Sequence, residues 1–433
     1  MKWSSLFKCV VLPLLLVIPF GFKAAEWFSP GPEPVDLIQA EAGKELFFHQ
    51  WKKNDLLTPD GDGVGPVFNA NSCMTCHSQG GPGGAGGNEF NVVNFVMPSI
   101  TERNTTTQGV IHANAVSDSY REFLNHLDPL LPKTSRLEES FLRQSMGNCR
   151  TDNPRLQVFE RIDISERNTP AIFGVKLIDD IPESAIIANA RKQRLKWGFT
   201  SAESESIPVG RVSRTADGRI GRFGWKGQVA SLSDFVEAAC ANELGLENPG
   251  SAQPTSLADS SYQTPGLDLT QEQCDQITQY CASLPRPQQV VPESEIEKNE
   301  QKLGREVFTN IGCANCHTPN IGNVKGLYSD LLLHRMGQKL IGGGSYGEPI
   351  LKIANLEDND GVKSDEWKTP PLWGVADSAP YLHDGRASSL HQAILLHGGQ
   401  AEDASKKFNQ LKPETRKALI SFLSSLKAPP ETE

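Results

Sequence analysis

Two copies of one short motif hold the residues best suited to chemistry. Cys73-Met74-Thr75-Cys76-His77 and Cys313-Ala314-Asn315-Cys316-His317 both follow the pattern Cys-x-x-Cys-His. A redox dithiol and a zinc half-site share part of this pattern. Two thiols at this spacing can also bond one porphyrin while the adjacent histidine ligates its iron, which is c-type haem attachment. The duplicated motif favours two covalently bound haems, and the predicted attachment and ligand residues are Cys73, Cys76, His77, Cys313, Cys316 and His317.

The residue on the other side of each iron decides what such a centre does. A strong second ligand gives an electron-transfer centre, whereas an open face gives a catalytic one. The candidates for this second ligand in the C-terminal half of the chain are Met336, His334, His383, His391 and His397. Of these, Met336 follows the second motif too closely for a chain that must first wrap the haem edge.

An internal repeat supplies the elements that must position these residues. Three landmarks recur in the same order in both halves, which is typical of a duplicated domain. The closing landmark has apolar residues at helical spacing in both copies, so it predicts a helix packed on its own domain. The landmarks are Gly43–Phe47 and Gly304–Phe308 before the motifs, Thr169–Val175 and Thr369–Val375 after them, and Leu269–Leu284 and Leu411–Leu426 at the ends.

A proline-rich segment separates the two copies. Residues 285–292 contain three prolines, which prevent a continuing helix and favour a stiff, extended linker. We therefore predict a first domain with insertions at 26–284, a linker at 285–292 and a second domain at 293–433. Helices and loops dominate, without a sustained alternating strand pattern, so the expected fold is mainly α, with two cytochrome c-like domains in tandem.

The N-terminus and the overall charge limit location and partners. Residues 1–25 combine Lys2 and Lys8 with the apolar run Val10–Phe20, a pattern typical of a signal peptide or an N-terminal anchor. The apolar run is too short to span a bilayer comfortably, so cleavage and loose membrane anchoring both stay open. The net charge is −10 and no stretch is strongly basic, which argues against a nucleic-acid partner.

Several segments together point to a known family. The two motifs with Thr369–Gly374, Tyr381–Arg386 and Ala393–Gly399 resemble the bacterial di-haem oxidoreductase family. That family is similar to di-haem cytochrome c peroxidases and to the di-haem enzyme that matures the tryptophan tryptophylquinone cofactor. The resemblance runs from about Gly43 to Leu426. It implies a periplasmic oxidoreductase of peroxidase type, with a small redox protein as electron donor and hydrogen peroxide or another oxidant as substrate.

The resemblance also implies site residues. His397 matches the position of the distal iron ligand of the C-terminal haem, although a helix-capping histidine beside glycines is the alternative. Asp179 stands where relatives have a glutamate, and Glu183 is the second candidate. A carboxylate there can take a proton from peroxide and return it to the leaving oxygen. The alternative is a surface acid in a turn. Electrons would pass from the haem on His317 to the haem on His77.

A second hypothesis is a non-catalytic electron-transfer cytochrome, in which His112 or His126 closes the N-terminal haem. Arg167 could anchor haem propionates, since arginine pairs geometrically with carboxylates, or it could be a solvated loop residue. Two acidic runs, 60–63 and 358–361, are weak calcium candidates that are more typical of turns. We also expect a disulfide from Cys240 to Cys274 or Cys281.

Overall fold

The computed structural model describes residues 34–98, 105–127, 163–198, 206–259, 261–343, 351–354 and 362–430. The predicted signal or anchor segment at 1–25 and the second calcium candidate at 358–361 lie outside these ranges. Among the described residues, no helix has both the length and the apolar character needed to cross a membrane.

The described chain is rich in helices, which confirms the predicted predominance of α structure. The helices are α1 (Leu37–Phe48), α2 (Cys73–Cys76), α3 (Asp118–Leu127), α4 (Val175–Asp179), α5 (Glu183–Trp197), α6 (Leu232–Leu244), α7 (Gln271–Ser283), α8 (Glu295–Asn310), α9 (Leu390–Leu396), α10 (Glu402–Gln410) and α11 (Pro413–Ser424).

Short strands accompany the helices, and the sequence did not predict them. The strands are β1 (Val67–Phe68), β2 (Val92–Pro98), β3 (Thr105–Ile111), β4 (Asn114–Ala115), β5 (Asp163–Arg167), β6 (Ser213–Arg214), β7 (Ile220–Gly221), β8 (Gln288–Gln289), β9 (Asn320–Ile321), β10 (Val324–Lys325), β11 (Leu333–Arg335), β12 (Leu351–Ala354), β13 (Glu366–Lys368) and β14 (Leu426–Lys427). Four of them form an antiparallel sheet in the order β12-β3-β2-β5, and the others pair in twos. Two of its strands, β5 and β12, lie far from β2 and β3 in the sequence, so no local pattern predicts this sheet.

The repeated glycine of the first landmark allows two matching helix pairs. Helix α1 packs on α7, and α8 packs on α11. A Cβ at Gly43 would lie 1.8 Å from the Gln276 carbonyl oxygen, and one at Gly304 would lie 2.0 Å from that of Ala418. Only glycine permits such a close approach of one helix backbone to the other.

Each helix pair borders its own hydrophobic core. The larger core contains Phe47 and Ile277 and has Cys73 and Cys76 packed against it. The other is built around Phe308, with Cys313 packed against it. Each attachment motif therefore lies beside one core.

The proline-rich segment between the halves is extended, because β8 lies in it and pairs with β14 at the chain end. Contacts among the described residues from Val35 onward make them one compact unit. The predicted domain bounds therefore stay a prediction.

Candidate haem-binding site

A cavity of about 650 Å³ lies beside the second motif. Its walls include Cys313, Cys316 and His317 of the motif together with His397. This volume falls within the range of roughly 300–1,000 Å³ that is usual for small-molecule and cofactor sites. Apolar side chains make up much of the remaining wall, among them Ile172, Phe308, Leu372, Leu390, Ile394 and Leu419.

Two of the four histidines that line this cavity, His317 and His397, are prepared to ligate a metal through Nε2. His317 Nδ1 donates to the Tyr328 carbonyl at 3.0 Å, and His397 Nδ1 donates to the Ala393 carbonyl at 2.7 Å. Since a carbonyl only accepts, the proton lies on Nδ1 and the lone pair on Nε2. Burial lowers the pKa of His317 to about 4 and also lowers the pKa of His397, so both rings stay neutral at pH 7. These donors and the cavity fit a haem with two histidine ligands.

The first motif holds its histidine in the same way. His77 Nδ1 lies 3.1 Å from the Gly84 carbonyl, and burial lowers the pKa of His77 to about 4. The carbonyl belongs to a tight glycine-rich loop, in which a Cβ at Gly84 would lie 1.7 Å from the Gln79 carbonyl oxygen. The glycines therefore let the backbone reach the motif histidine.

The motif thiols are poorly suited to thiol–disulfide exchange. Burial raises the pKa values of Cys73, Cys76 and Cys313 to about 12. Exchange requires the thiolate, which is scarce at neutral pH when the pKa is this high. The environment of these thiols therefore disfavours redox dithiol chemistry.

The predicted disulfide is wrong. Cys240, Cys274 and Cys281 are free, buried thiols in the larger core. They pack there as small apolar side chains, which is the usual behaviour of a buried free cysteine.

The two candidate acid/base residues lie at the junction of α4 and α5. Asp179 ends α4, and its Oδ1 accepts from the Leu232 amide at the start of α6 at 3.1 Å. Glu183 begins α5, and its Oε1 accepts from the Ile220 amide at 2.8 Å. Burial raises the pKa of Asp179 above its ordinary value. Neither side chain lines the cavity of the second motif, and their catalytic role stays a prediction.

Arg167 is buried among protein acceptors. Its guanidinium donates to Ser165 Oγ and to the carbonyls of Glu166 and Gly343. It also lies 4.6 Å from the centre of the Trp367 ring. It is therefore not a solvated loop residue, and propionate anchoring by Arg167 stays a prediction.

The alternative ligands of the N-terminal half are engaged elsewhere or exposed. His112 Nε2 lies 2.9 Å from the Asn242 carbonyl, to which it donates. His126 is exposed on α3, and its Nδ1 donates to the Glu122 carbonyl. The first calcium candidate is tied into the fold, since the Gly63 amide donates to Asp268 Oδ1 at 2.7 Å.

The sequence did not predict that a cluster of polar side chains forms beside the second motif. Asp330, His334 and Cys316 bring potential ligand atoms within 4.8 Å of one another. His334 Nε2 meets Asp330 Oδ2 at 2.9 Å, and its Nδ1 meets Gln400 Oε1 at 2.9 Å. Because both ring nitrogens face acceptors, His334 is a poor iron ligand. The three residues of the cluster and Gln400 share no sequence pattern that could have revealed it.

The family comparison matches most of the chain. A family model described as "Di-haem oxidoreductase, putative peroxidase" matches residues 148–426. Among curated proteins, the chain is 27% identical over 144 residues to hydrazine synthase subunit gamma of Kuenenia stuttgartiensis. It is 29% identical over 141 residues to methylamine utilization protein MauG of Methylorubrum extorquens, and 26% identical over 128 residues to cytochrome c551 peroxidase of Pseudomonas aeruginosa.

These matches cover 29%, 30% and 29% of this chain and only 40%, 35% and 34% of the three proteins. Among solved structures, Kuenenia stuttgartiensis hydrazine synthase is 17% identical with a TM-score of 0.33, covering 60% of this chain and 73% of that one. A MauG-like protein associated with microbial copper homeostasis is 15% identical with a TM-score of 0.30, covering 57% and 89%. Likeness at these scores identifies no function.

Proposed function

The chain belongs to the di-haem oxidoreductase family, and we propose that it is an exported, periplasmic enzyme of peroxidase type. It reduces hydrogen peroxide or another oxidant with electrons from a small redox protein. The observation that carries this proposal is an asymmetry: His317 and His397, each bonded through Nδ1 to a backbone carbonyl, both line the cavity of the second motif. The first motif contributes one histidine held in this way, and the N-terminal half adds two carboxylates, Asp179 and Glu183, at the junction of α4 and α5.

Two tandem cytochrome c-like domains, at 26–284 and 293–433, each hold one covalent haem in this proposal. Cys73 and Cys76 attach the first, and Cys313 and Cys316 attach the second. A haem with two strong ligands stores and passes an electron, and one with an open face can receive an oxidant. The remaining steps belong to the protein side chains.

In the C-terminal domain, the chain fixes both ligands before they are used. The carbonyls of Tyr328 and Ala393 hold the protons of His317 and His397 on Nδ1. Orientation by such a second contact is what fixes the tautomer of a metal-binding histidine. Two histidines give a lower reduction potential than a histidine and a methionine, since methionine raises it. We place electron entry in this domain.

In the N-terminal domain, Asp179 moves the proton. Its Oδ1 is held by the Leu232 amide, which leaves Oδ2 to accept a proton from peroxide and return it to the leaving oxygen. A pKa raised by burial suits this role, because an acid/base group works best with a pKa near the operating pH. Glu183, the first residue of α5, is the second candidate.

The walls of the cavity support electron transfer between the two domains, because residues of both halves of the chain contribute to them. The cavity of the second motif also touches Thr169, Pro170 and Trp225 of the N-terminal half. The Trp225 indole is fixed there, because its Nε1 donates to the Asn168 carbonyl at 2.8 Å.

Steady-state peroxide consumption with a reduced small cytochrome as donor tests the proposal. The haem content of the purified protein is measured first, from the pyridine haemochrome spectrum after denaturation. We expect two covalent haems per chain and turnover that depends on donor and peroxide. If the protein binds two haems but turns over neither peroxide nor another oxidant, the proposal is wrong and the protein is a non-catalytic electron-transfer cytochrome.

A further inference from the structure

The C-terminal end of helix α5 contacts the second attachment motif. Gln193 Nε2 donates to the Asn315 carbonyl at 2.9 Å, and Lys196 Nζ donates to Asn315 Oδ1 at 2.9 Å. Asn315 is a residue of the motif itself. Lys196 and Trp197 also line the cavity beside this motif. A helix of the N-terminal half therefore supplies part of the wall around the C-terminal site.

The outward side of this helix end is basic. Residues 191–197 contain no aspartate or glutamate, and their cationic side chains are Arg191, Lys192, Arg194 and Lys196. Arg191, Lys192 and Lys196 are exposed, and Arg194 is half-buried. Within the described ranges, no salt bridge involves any of these side chains. Since the whole chain has a net charge of −10, this helix end is a local positive patch on an acidic protein.

The helix dipole explains only part of this charge pattern. Cations stabilise the last turn of a helix, and the effect falls off within that turn. Arg194 and Lys196 lie in the last turn of α5. Arg191 and Lys192 precede that turn, so the dipole gives no reason for their charge.

Two apolar side chains are exposed among these cations. Leu195 is 74% exposed and Trp197 is 37% exposed. Lys196 Nζ lies 4.6 Å from the centre of the Trp197 ring, which orients the indole at the edge of the cavity. Tryptophan and arginine are enriched at the residues that contribute most to protein–protein binding. The combination of apolar side chains and surrounding cations fits a protein partner with an acidic surface.

We propose that the α5 patch, formed by residues 191–197, is the docking surface for the electron donor, and that this donor is a small redox protein with an acidic face. The inference rests on the proposed function, because it requires a haem on the second motif. One electron leaves the reduced donor and converts the iron of the C-terminal haem from ferric to ferrous, without transfer of a proton. Opposite charges on the two proteins accelerate their encounter. An extended anionic membrane fits the patch less well, because it would repel the rest of a chain with a net charge of −10.

Calorimetric titration of the purified haem-containing protein with two oxidised probes tests this surface. The probes are plastocyanin, which is acidic, and mitochondrial cytochrome c, which is basic. We expect plastocyanin to bind more tightly than cytochrome c, with an affinity that falls as salt is added. The combined change Arg191→Glu and Lys192→Glu should weaken plastocyanin binding by about tenfold or more, because it places like charges opposite each other.

Two further variants keep the test independent of folding and of net charge. Leu195→Ser removes a side chain that is 74% exposed, so the variant should fold and should still weaken plastocyanin binding. The combined change Lys52→Glu and Lys53→Glu alters the net charge as much as the double variant of α5 does, at exposed positions of the N-terminal half. It should leave plastocyanin binding within about twofold of wild type at physiological salt, where distant exposed charges are screened.

The outcomes separate this inference from the proposed function. Tighter binding of cytochrome c than of plastocyanin, binding of neither probe, or equal plastocyanin binding by wild type and the double variant of α5 would overturn the docking surface. Binding of wild type to phosphatidylserine vesicles without binding to plastocyanin would overturn it in favour of a membrane contact. Because these titrations contain no peroxide, plastocyanin binding at α5 without peroxide turnover would refute the peroxidase-type function and leave the docking surface in place.

Discussion

The two halves of the chain hold their motif histidines alike but differ in what faces them. His77 and His317 each place Nδ1 against a backbone carbonyl. In the C-terminal half His397 offers a second prepared ring to the same cavity, whereas His112 of the N-terminal half donates its Nε2 to Asn242. Under the proposed function, the two halves thus share the attachment geometry and differ in the opposite ligand, which gives one electron-storing and one reacting centre.

The halves also differ in their carboxylates. The junction after the second landmark carries Asp179 and Glu183 in the N-terminal half, both held by backbone amides. The ungapped repeat places His383 opposite Glu183, and that histidine stacks on Trp367 with ring centres 3.7 Å apart. At this position one half therefore holds two carboxylates and the other half an aromatic stack.

The largest effect is expected from making the C-terminal half resemble the N-terminal one. His397→Gly removes the second ligand, so the C-terminal haem should change from low-spin to high-spin in optical and resonance spectra. His391→Gly, at an exposed position of α9, the helix that ends just before His397, should leave the spin state unchanged. An unaltered low-spin spectrum in His397→Gly would mean that another residue lining the cavity is the ligand.

Removing the proton carrier of the N-terminal half should have the next largest effect. Asp179→Asn keeps an oxygen for the Leu232 amide but cannot shuttle a proton, so peroxide turnover should fall by about 10² to 10⁴-fold. The matched control is Asp180→Asn, whose native carboxylate pairs with Lys176. If wild type and Asp179→Asn have equal turnover at saturating donor, Asp179 is not the proton carrier and Glu183 is the remaining candidate.

A smaller, pH-dependent effect on the stability of the folded chain is expected from His112 of the N-terminal half. Burial lowers the pKa of His112 to about 4, below its unfolded value near 6.5. The folded state binds fewer protons in this window, so stability is present above pH 6.5 and is lost as the pH falls toward 4, by about 3 kcal/mol. His112→Gln should flatten this part of the profile in denaturant unfolding between pH 7 and 4. His126→Gln, at an exposed site, should not, and an equally steep profile in both variants would contradict the assignment.

The smallest effect concerns the two closing helices. Thr270 caps α7 in a reciprocal capping box with Gln273, whereas α11 begins at Pro413 without a side-chain cap from Lys412. Thr270→Ala should lower the free energy of unfolding by about 1 kcal/mol, and Lys412→Ala should change it little. Equal losses in thermal or denaturant unfolding would show that the caps do not distinguish the halves.

Local patterns in the sequence predicted the parts of the molecule that depend on neighbours in the chain. The two motifs, the closing helices and the extended proline segment are all of this kind, and the helix-rich fold follows from them. The repeated glycine was visible as a landmark, but its close packing on Gln276 and Ala418 was not.

The missed features depend on residues far apart in the chain. The four-stranded sheet pairs Thr105–Ile111 with Leu351–Ala354. The cluster around His334 needs Gln193 and Gln400, which lie on segments well separated from it in the sequence. The disulfide prediction failed for the same reason, since the number of cysteines and the predicted export signal do not determine which thiols lie close together. The assignment of His397 came from family resemblance, and only the structure shows its Nδ1 bonded to a carbonyl.

Electron paramagnetic resonance of the oxidised wild-type protein, recorded with and without peroxide, tests the difference between the halves most directly. We predict one low-spin signal from the C-terminal haem and one high-spin signal from the N-terminal haem, with peroxide altering the high-spin signal. Two low-spin signals that peroxide leaves unchanged, before and after partial reduction, would contradict an open N-terminal centre and the peroxidase-type function built on it.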